Sequence, residues 1–157
     1  MADATTKTTA SSAQITHVSS GASMSSGAFS ASSDIATALA RTGNLGQFPA
    51  CDVAVKVQGT ASINSLSQNL YLYRRDLNFD GTSDETAPNA SNRQQLMATR
   101  QVPGGTATSW THYINFNGIP LPASADCEFY LESGLAVNIT PGWTIKVTPV
   151  SKVGATT

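Results

Sequence analysis

One stretch of the sequence has the spacing of a calcium-binding loop. It follows the opening pattern D-x-N-x-D-G, in which oxygens at alternate positions converge on the ion and the glycine allows a sharp turn. Its oxygen-bearing residues are Asp76, Asn78, Asp80 and Asp84. Position twelve, however, is Ala87, where a calcium loop needs a bidentate glutamate. Asp, Asn and Gly are also the residues of ordinary tight turns. We therefore predict a plain hairpin loop in preference to a cation site, and no cofactor.

The two histidines are weak candidates for catalysis. His17 lies in a stretch dense in Ser and Thr, where we expect no rigid scaffold to hold a catalytic geometry. His112 shares a strand face with Trp110 and Ile114, which is typical of a core or edge position in a strand. The sequence contains no HExxH, GxSxG or paired CxxC motif and no phosphate-binding glycine loop. We predict that the protein is not an enzyme and has no catalytic residue.

The chain has two cysteines, Cys51 and Cys127, and each begins an apolar run. Two cysteines are too few for a disulfide scaffold, so buried free thiols are the favoured interpretation. A single bridge between them remains the alternative.

The charge composition is unusual for a soluble domain. Charged residues make up 12% of the 157 residues and the net charge is −1, whereas hydrophobic residues reach 40%. Typical soluble domains have about a quarter charged residues, and so low a content predicts a surface that a partner covers. The near-neutral balance argues against nucleic-acid binding. No run approaches the ~20 apolar residues of a membrane span, and the N-terminus lacks the order of a secretory signal.

Four of the nine basic residues cluster in the middle third of the chain. They are Arg74, Arg75, Arg93 and Arg100. Acidic residues including Glu132 occur on a later predicted strand, so a mixed-charge contact between subunits is one interpretation. Solvated surface is the favoured one.

The first 33 residues differ from the rest of the chain, since fifteen of them are Ser or Thr. Such a composition buries too little apolar surface to offset the entropy of ordering the chain. We therefore predict an extended N-terminal arm over residues 1–33 that acquires its shape on another subunit or protein. Residues 34–157 are predicted to form a single β-sandwich domain.

Alternation of apolar and polar residues predicts five strands after residue 52. They cover residues 53–58, 70–73, 110–116, 127–132 and 143–148. Residues 94–102 fit a strand or a helical turn, and residues 34–43 fit a short helix or a strand. Turn residues, including Asn117-Gly118 and Pro141-Gly142, separate the runs. The pattern predicts an all-β fold, an antiparallel sandwich or barrel.

Several phrases of the sequence resemble a known class of protein. They are GASMSSGAFSASSDIATAL, CDVAVKVQG, NLYLYRRDLNFDGT, NGIPLPASADCEFYLESG and IKVTPVS, within roughly residues 20–150. In these the chain resembles small virion structural proteins of tailed bacteriophages, in particular capsid decoration or cement proteins. The resemblance implies a jelly-roll-like β-sandwich, often a homotrimer, that is made in the host cytoplasm. The resemblance further implies that such a protein binds the outside of the assembled head and clamps junctions between major capsid protein subunits. It implies no active-site residues.

Two alternatives remain open at this point. One is another virion module, of the tail, baseplate or head fibre. The other is a carbohydrate-binding β-sandwich, in which aromatic side chains stack on sugar rings. The aromatic candidates are Tyr71, Tyr73, Tyr113, Tyr130, Trp110 and Trp143. The predicted strand faces bury both tryptophans, which counts against this alternative.

Overall fold

The structure is a computed structural model that describes residues 7–10, 13–64, 68–78, 84–93 and 95–153. It is an all-β fold of two antiparallel sheets. The strands are β1 (Lys7–Ala10), β2 (Ile15–Gly21), β3 (Ala50–Gly59), β4 (Asn69–Leu77), β5 (Leu96–Gln101), β6 (Trp110–Pro120), β7 (Asp126–Ser133) and β8 (Trp143–Val153). The only regular helix in the described ranges is a short 3-10 helix, Ser32–Asp34.

The larger sheet has the order β1-β8-β3-β6, and β2 also pairs with β8. Strands β1 and β2 follow one another along the same edge of β8, because Lys7 lies opposite Val153 and Gly21 lies opposite Trp143. The smaller sheet has the order β5-β4-β7. The segment after β2 completes this sheet, since it runs along the outer edge of β7.

The contacts of this segment are backbone contacts. Phe29 bridges to Glu132, and the N–H of Ser30 donates to the carbonyl of Leu131 at 2.8 Å. The chain therefore passes repeatedly from one sheet to the other, from β2 to the edge of β7, back to β3, and on through β4 and β5 to β6. This path makes a jelly-roll-like sandwich, and the predicted fold class is confirmed.

The core lies between the sheets. Every second side chain of β3 is buried, as the alternation predicts for a strand with one face inside. Cys51 on β3 and Cys127 on β7 are free and buried, as predicted. Burial raises the pKa of the Cys127 thiol to about 12 and also raises that of Cys51. Both groups are therefore neutral and unreactive in the folded protein.

The prediction that the first 33 residues take their shape on a foreign surface is wrong for residues 15–33. Strand β2 is part of the chain's own sandwich, where His17 is 0% exposed and Val18 is 1% exposed. Met24 is buried in the same core. An edge strand needs backbone pairing and a few inward apolar side chains, and a Ser/Thr-rich segment can supply both. Residues 1–6 and 11–12 lie outside the described ranges.

Asn117-Gly118 does not form the connection predicted for it. Strand β6 continues through it to Pro120, and the ladder with β3 shifts its register there. Gly118 has a φ of 66° and donates its N–H to the carboxylate of Asp52 at 2.8 Å. The left-handed glycine therefore forms a bulge within the strand, a use of glycine that resembles a turn in sequence.

The two undecided segments are now assigned. Asp34 ends the 3-10 helix, and residues 35–43 form neither a helix nor a strand, because isolated bridges at Ile35 and Leu39 are their only β-pairings. Within residues 94–102, a strand forms at Leu96–Gln101.

Candidate interaction surface

Part of the outer face of the smaller sheet is covered by the chain itself, and a groove of about 440 Å³ remains open on it beside Tyr71, Arg93 and Leu96. Residues 84–93 and 95, which connect β4 to β5, lie over the covered part, and Pro88 in this connection is buried. The N–H of Glu85 donates to the carbonyl of Asp76, and the N–H of Arg74 donates to that of Gln95. Tyr73, Tyr130 and Glu132 on this face are buried, whereas Arg75 and Glu128 remain half-buried.

Among the charged side chains on the outer face of the smaller sheet, Glu132 of β7 is the most deeply buried, with 6% of its surface exposed. The hydroxyl of Tyr73 donates to its carboxylate at 2.6 Å, and the Nη2 atom of Arg93 donates at 2.7 Å. The same guanidinium lies 5.7 Å from the centroid of the Phe29 ring. Burial, together with the carboxylate of Glu132, raises the pKa of Tyr73 to about 12.

A second network of charged side chains lies on the same face of the sheet, next to the first, where Arg75 of β4 is opposite Glu128 of β7. Arg75 contacts Glu128 at 3.2 Å and donates from Nε to the carbonyl of Glu85 at 2.6 Å. The hydroxyl of Tyr130 donates to the same carboxylate at 2.6 Å. Burial and this carboxylate raise the pKa of Tyr130 to about 12.

The clustered arginines therefore have intramolecular partners. Arg74 pairs with Asp76 at 2.7 Å, and Arg100 donates to the carbonyl of Asn115 at 3.1 Å. The sequence analysis favoured solvated surface for this cluster, with a contact between subunits as the alternative. Arg93 and Arg100 are exposed, as the favoured interpretation expects, but Arg74, Arg75 and Arg93 also pair with acidic residues of β4 and β7.

The calcium-like loop is only partly described, since Asp80 and Gly81 fall outside the described ranges. Within those ranges both carboxylate oxygens of Asp76 accept bonds from Arg74, and Asp84 accepts the backbone N–H of Asn78 at 3.0 Å. No group of three or more His, Cys, Asp or Glu side chains there could hold a metal ion. The described part of the loop has the local bonding of a turn.

His17 is held rigidly, contrary to the prediction. Its Nδ1 atom lies 2.8 Å from the carbonyl oxygen of Thr37, and its Nε2 atom accepts the backbone N–H of Phe129 at 3.1 Å. This arrangement requires the neutral ring with its proton on Nδ1. Through these two bonds the ring links β2 to the irregular chain at Thr37 and to β7. Both ring nitrogens are occupied, so neither is free to act on a substrate. His112 stacks on Trp110 with 5.3 Å between ring centroids, in the core-edge position predicted.

The buried His17 predicts a loss of stability in mild acid. Desolvation lowers its pKa from 6.5, so below that pH the unfolded chain binds a proton that the folded protein excludes. Stability is fully present above about pH 6.5 and falls as the pH drops toward the lowered pKa, by up to about 1.4 kcal/mol per pH unit. Melting temperatures compared at pH 7.5 and 5.5 will measure this loss.

Two variants isolate the contribution of this ring. In His17→Gln the difference between the two melting temperatures should shrink, whereas in His112→Gln it should equal that of the wild type. An unchanged difference in His17→Gln would show that other groups cause the acid sensitivity.

The outer face of the larger sheet is open. Its side chains alternate with the core residues and remain exposed or half-buried; they are Thr16, Asp52, Ala54, Lys56, Gln58, Thr111, Tyr113, Asn115, Thr144, Lys146 and Thr148. We call these residues the open face. A shallow groove of about 450 Å³ crosses it, and Lys56, Tyr113 and Lys146 are among its lining residues.

The charges of the open face differ from those of the covered face. None of the ion pairs in the described ranges includes Lys56 or Lys146. Asp52 is the one acid of the open face, and it accepts the backbone N–H of Gly118. Tyr113 lies directly opposite Lys56 in the β3–β6 ladder and is 75% exposed. The open face is thus weakly positive and mostly uncharged.

Sequence reasoning placed Lys56 and Lys146 on strands but did not single them out as parts of one surface. Lys56 and Lys146 lie 90 positions apart in the chain. They become neighbours because β3 pairs with β8, with Ala54 opposite Lys146 and Lys56 opposite Thr144. The sequence did contain one signal for them: Lys56 and Lys146 each occupy a polar position in a run that alternates polar and apolar residues.

The aromatic side chains proposed for sugar stacking are mostly inside. Trp143, Tyr73, Tyr130 and Trp110 are buried, and Tyr71 is half-buried. Of the six, Tyr113 alone is well exposed. A stacking platform of several exposed rings is therefore not formed by these residues.

Comparison of the chain with known protein families, with curated proteins and with solved structures finds no match. Among the described residues, no helix has the length and apolar character needed to cross a membrane.

Proposed function

We propose that this protein is a non-enzymatic decoration protein of a tailed-bacteriophage head, and that its open face binds the major capsid protein on the outside of the assembled shell. Three observations support the proposal. The sequence phrases resemble those of capsid decoration proteins, the fold is the jelly-roll-like sandwich that the resemblance implies, and the side chains of the open face are exposed or half-buried.

The difference between the two faces is the observation that carries the proposal. The charges of the covered face are paired within the chain, so they have little capacity left for a partner. The open face offers a broad surface with only three charged side chains, so its burial against another protein requires little desolvation of charge. An exposed tyrosine such as Tyr113 is typical of protein interfaces.

The two lysines of the open face indicate the chemistry of the partner. Lys56 and Lys146 would meet an acidic region of the capsid surface, because complementary charge steers the encounter and sets the register of the two proteins. Each contact is weak, but a shell presents the same site many times, and linked copies then gain avidity. In this proposal the open face replaces the N-terminal arm as the attachment surface, because residues 15–33 belong to the sandwich.

Removal of the two lysine charges is the direct test. The double variant Lys56→Gln with Lys146→Gln should bind purified shells at least about tenfold more weakly than the wild type, equivalent to about 1.4 kcal/mol. Co-sedimentation of protein with shells over a concentration series measures the affinity. The loss should grow smaller in high salt, where the wild type itself binds more weakly.

The matched control changes the net charge by the same amount on the other side of the molecule. Ser91→Glu with Thr99→Glu places two negative charges at exposed positions of the β4–β5 connection and β5, and should bind shells as the wild type does. Equal affinity of both double variants would contradict docking through the open face. Labelled protein found at the tail in electron micrographs would instead favour another virion module.

A further inference from the structure

Strand β6 has one edge without a partner strand. It pairs with β3 on one side, and in the described ranges no strand pairs with its other side. The strand runs over 11 residues, WTHYINFNGIP, and none of them carries a full charge. Natural sheets usually protect such an edge with charged residues, proline, a short strand or a covering segment, because an open edge recruits other strands.

The edges of β7, β2 and β5 carry such protection. The segment after β2 covers the edge of β7, and the N–H of Ala36 donates to the carbonyl of His17 on β2. Strand β5 is short, with six residues, and carries Arg100. The edge of β6 is protected near its end by the bulge at Gly118, by Pro120 and by Arg74, which donates to the carbonyl of Pro120. Residues 110–114 contain no charge, proline or bulge, and the side chain of Arg100 bonds the carbonyl of the next residue, Asn115.

Two hydrogen bonds identify which backbone groups face this open edge. The carbonyl of Gln58 accepts the N–H of Thr140 and so points away from β6. Because directions alternate along a strand, Val57 and Val55 face β6, where they lie opposite His112 and Ile114.

It follows that the neighbouring residues Thr111, Tyr113 and Asn115 direct their N–H and C=O groups outward. The side chain of Arg100 reaches the carbonyl of Asn115 from outside, which agrees with this assignment.

We propose that a second copy of this chain binds the open edge, so that two β6 strands pair antiparallel about a two-fold axis at Tyr113. In this register Tyr113 lies opposite its own copy, and Thr111 lies opposite Asn115 of the other copy. Tyr113 then exchanges backbone hydrogen bonds with its own copy, and Thr111 and Asn115 exchange them with each other once Arg100 releases the carbonyl of Asn115. The two larger sheets join into one continuous sheet across the dimer.

The choice of a second copy follows from the strand's own composition. A two-fold contact brings each residue close to itself or its neighbours, so a charged strand would repel its copy. Strand β6 is uncharged, and its central position holds the most exposed large hydrophobic side chain of the described ranges, Tyr113 at 75%. Two tyrosines that face each other across a ladder gain an aromatic contact and lose exposed apolar surface.

The mass of the purified protein in solution tests the pairing. Light scattering during size-exclusion chromatography should show a dimer that dissociates on dilution. Tyr113→Lys and Tyr113→Glu should each raise the dimer dissociation constant at least about tenfold, because like charges then face each other. An equal mixture of the two variants should restore the dimer, since opposite charges then meet at the axis.

Ser19→Lys and Ser19→Glu are the matched controls, at an exposed position of β2 at the far side of the same sheet. Both should remain dimers, and thermal melts of all four variants will confirm that they are folded. A wild type that is monomeric at every concentration, a trimer, or a mixture that fails to restore the dimer would each overturn the proposal. Because no shells are present, this outcome is independent of whether the open face binds a capsid.

Discussion

A chain that begins at residue 34 is expected to lose its cooperative folded state. The truncation removes β2 and with it the buried side chains of His17, Val18 and Met24. Burial of an aliphatic side chain contributes about 1.5–3 kcal/mol, and the whole folded state of such a domain is stable by only about 5–15 kcal/mol. The truncation also exposes the edge of β8 and uncovers part of β7. Circular dichroism and thermal melting of the purified protein will measure the loss.

A shorter truncation is the control for this experiment. Removal of residues 1–12 takes away β1, of four residues, but leaves β2 and the core side chains in place. This variant should still melt cooperatively. If the chain that begins at residue 34 melted as the wild type does, the contribution of β2 to the core would be refuted. If the chain that begins at residue 34 lost shell binding and the chain without residues 1–12 kept it, the cause would be unfolding and not the removal of an attachment arm.

Gly21→Ala is expected to destabilise the fold by about 3 kcal/mol, a large value for the addition of one methyl group. A Cβ atom at this position would lie 1.9 Å from Cε2 of the Trp143 side chain. That indole is 0% exposed, and its Nε1 atom donates to the carbonyl of Ala22 at 2.7 Å. The ring therefore has no room to move aside, and either β2 or the indole must leave its place.

The melting temperature should fall by roughly 6–12 °C for a domain of this size. Gly105→Ala is the control, because a Cβ there meets nothing within 4 Å and should leave the melting temperature close to that of the wild type. Equal melting temperatures for the two variants would show that β2 can shift along β8 without cost, and would contradict the close packing of this edge.

The strands were largely predictable from alternation. In β7 the sequence pattern placed Cys127, Phe129 and Leu131 inside, and all three are buried. The same pattern placed Tyr130 and Glu132 on the outer side of the sheet, yet they are 1% and 6% exposed. Alternation reports which face of its own sheet a residue occupies. It does not report whether another part of the chain lies over that face.

The N-terminal segment shows a different limit. Its Ser/Thr content indicated a chain that could not fold alone, and the inference from that composition to a foreign partner was wrong for residues 15–33. The stability of an edge strand comes from backbone pairing with a neighbour, here β8, which lies more than 120 positions later in the sequence. Local composition contains no information about such a neighbour.

The sequence by itself determined the all-β character, the buried thiols and the low charge, because each follows from residue types and their local period. Tertiary structure alone decided which surface remains available to a partner. It brought Lys56 beside Thr144 and Tyr113, and it placed the β4–β5 connection against part of the opposite sheet. The physical reason is that both effects arise from pairing between distant strands, where a residue's neighbours are set by the register of the sheet and not by its position in the chain.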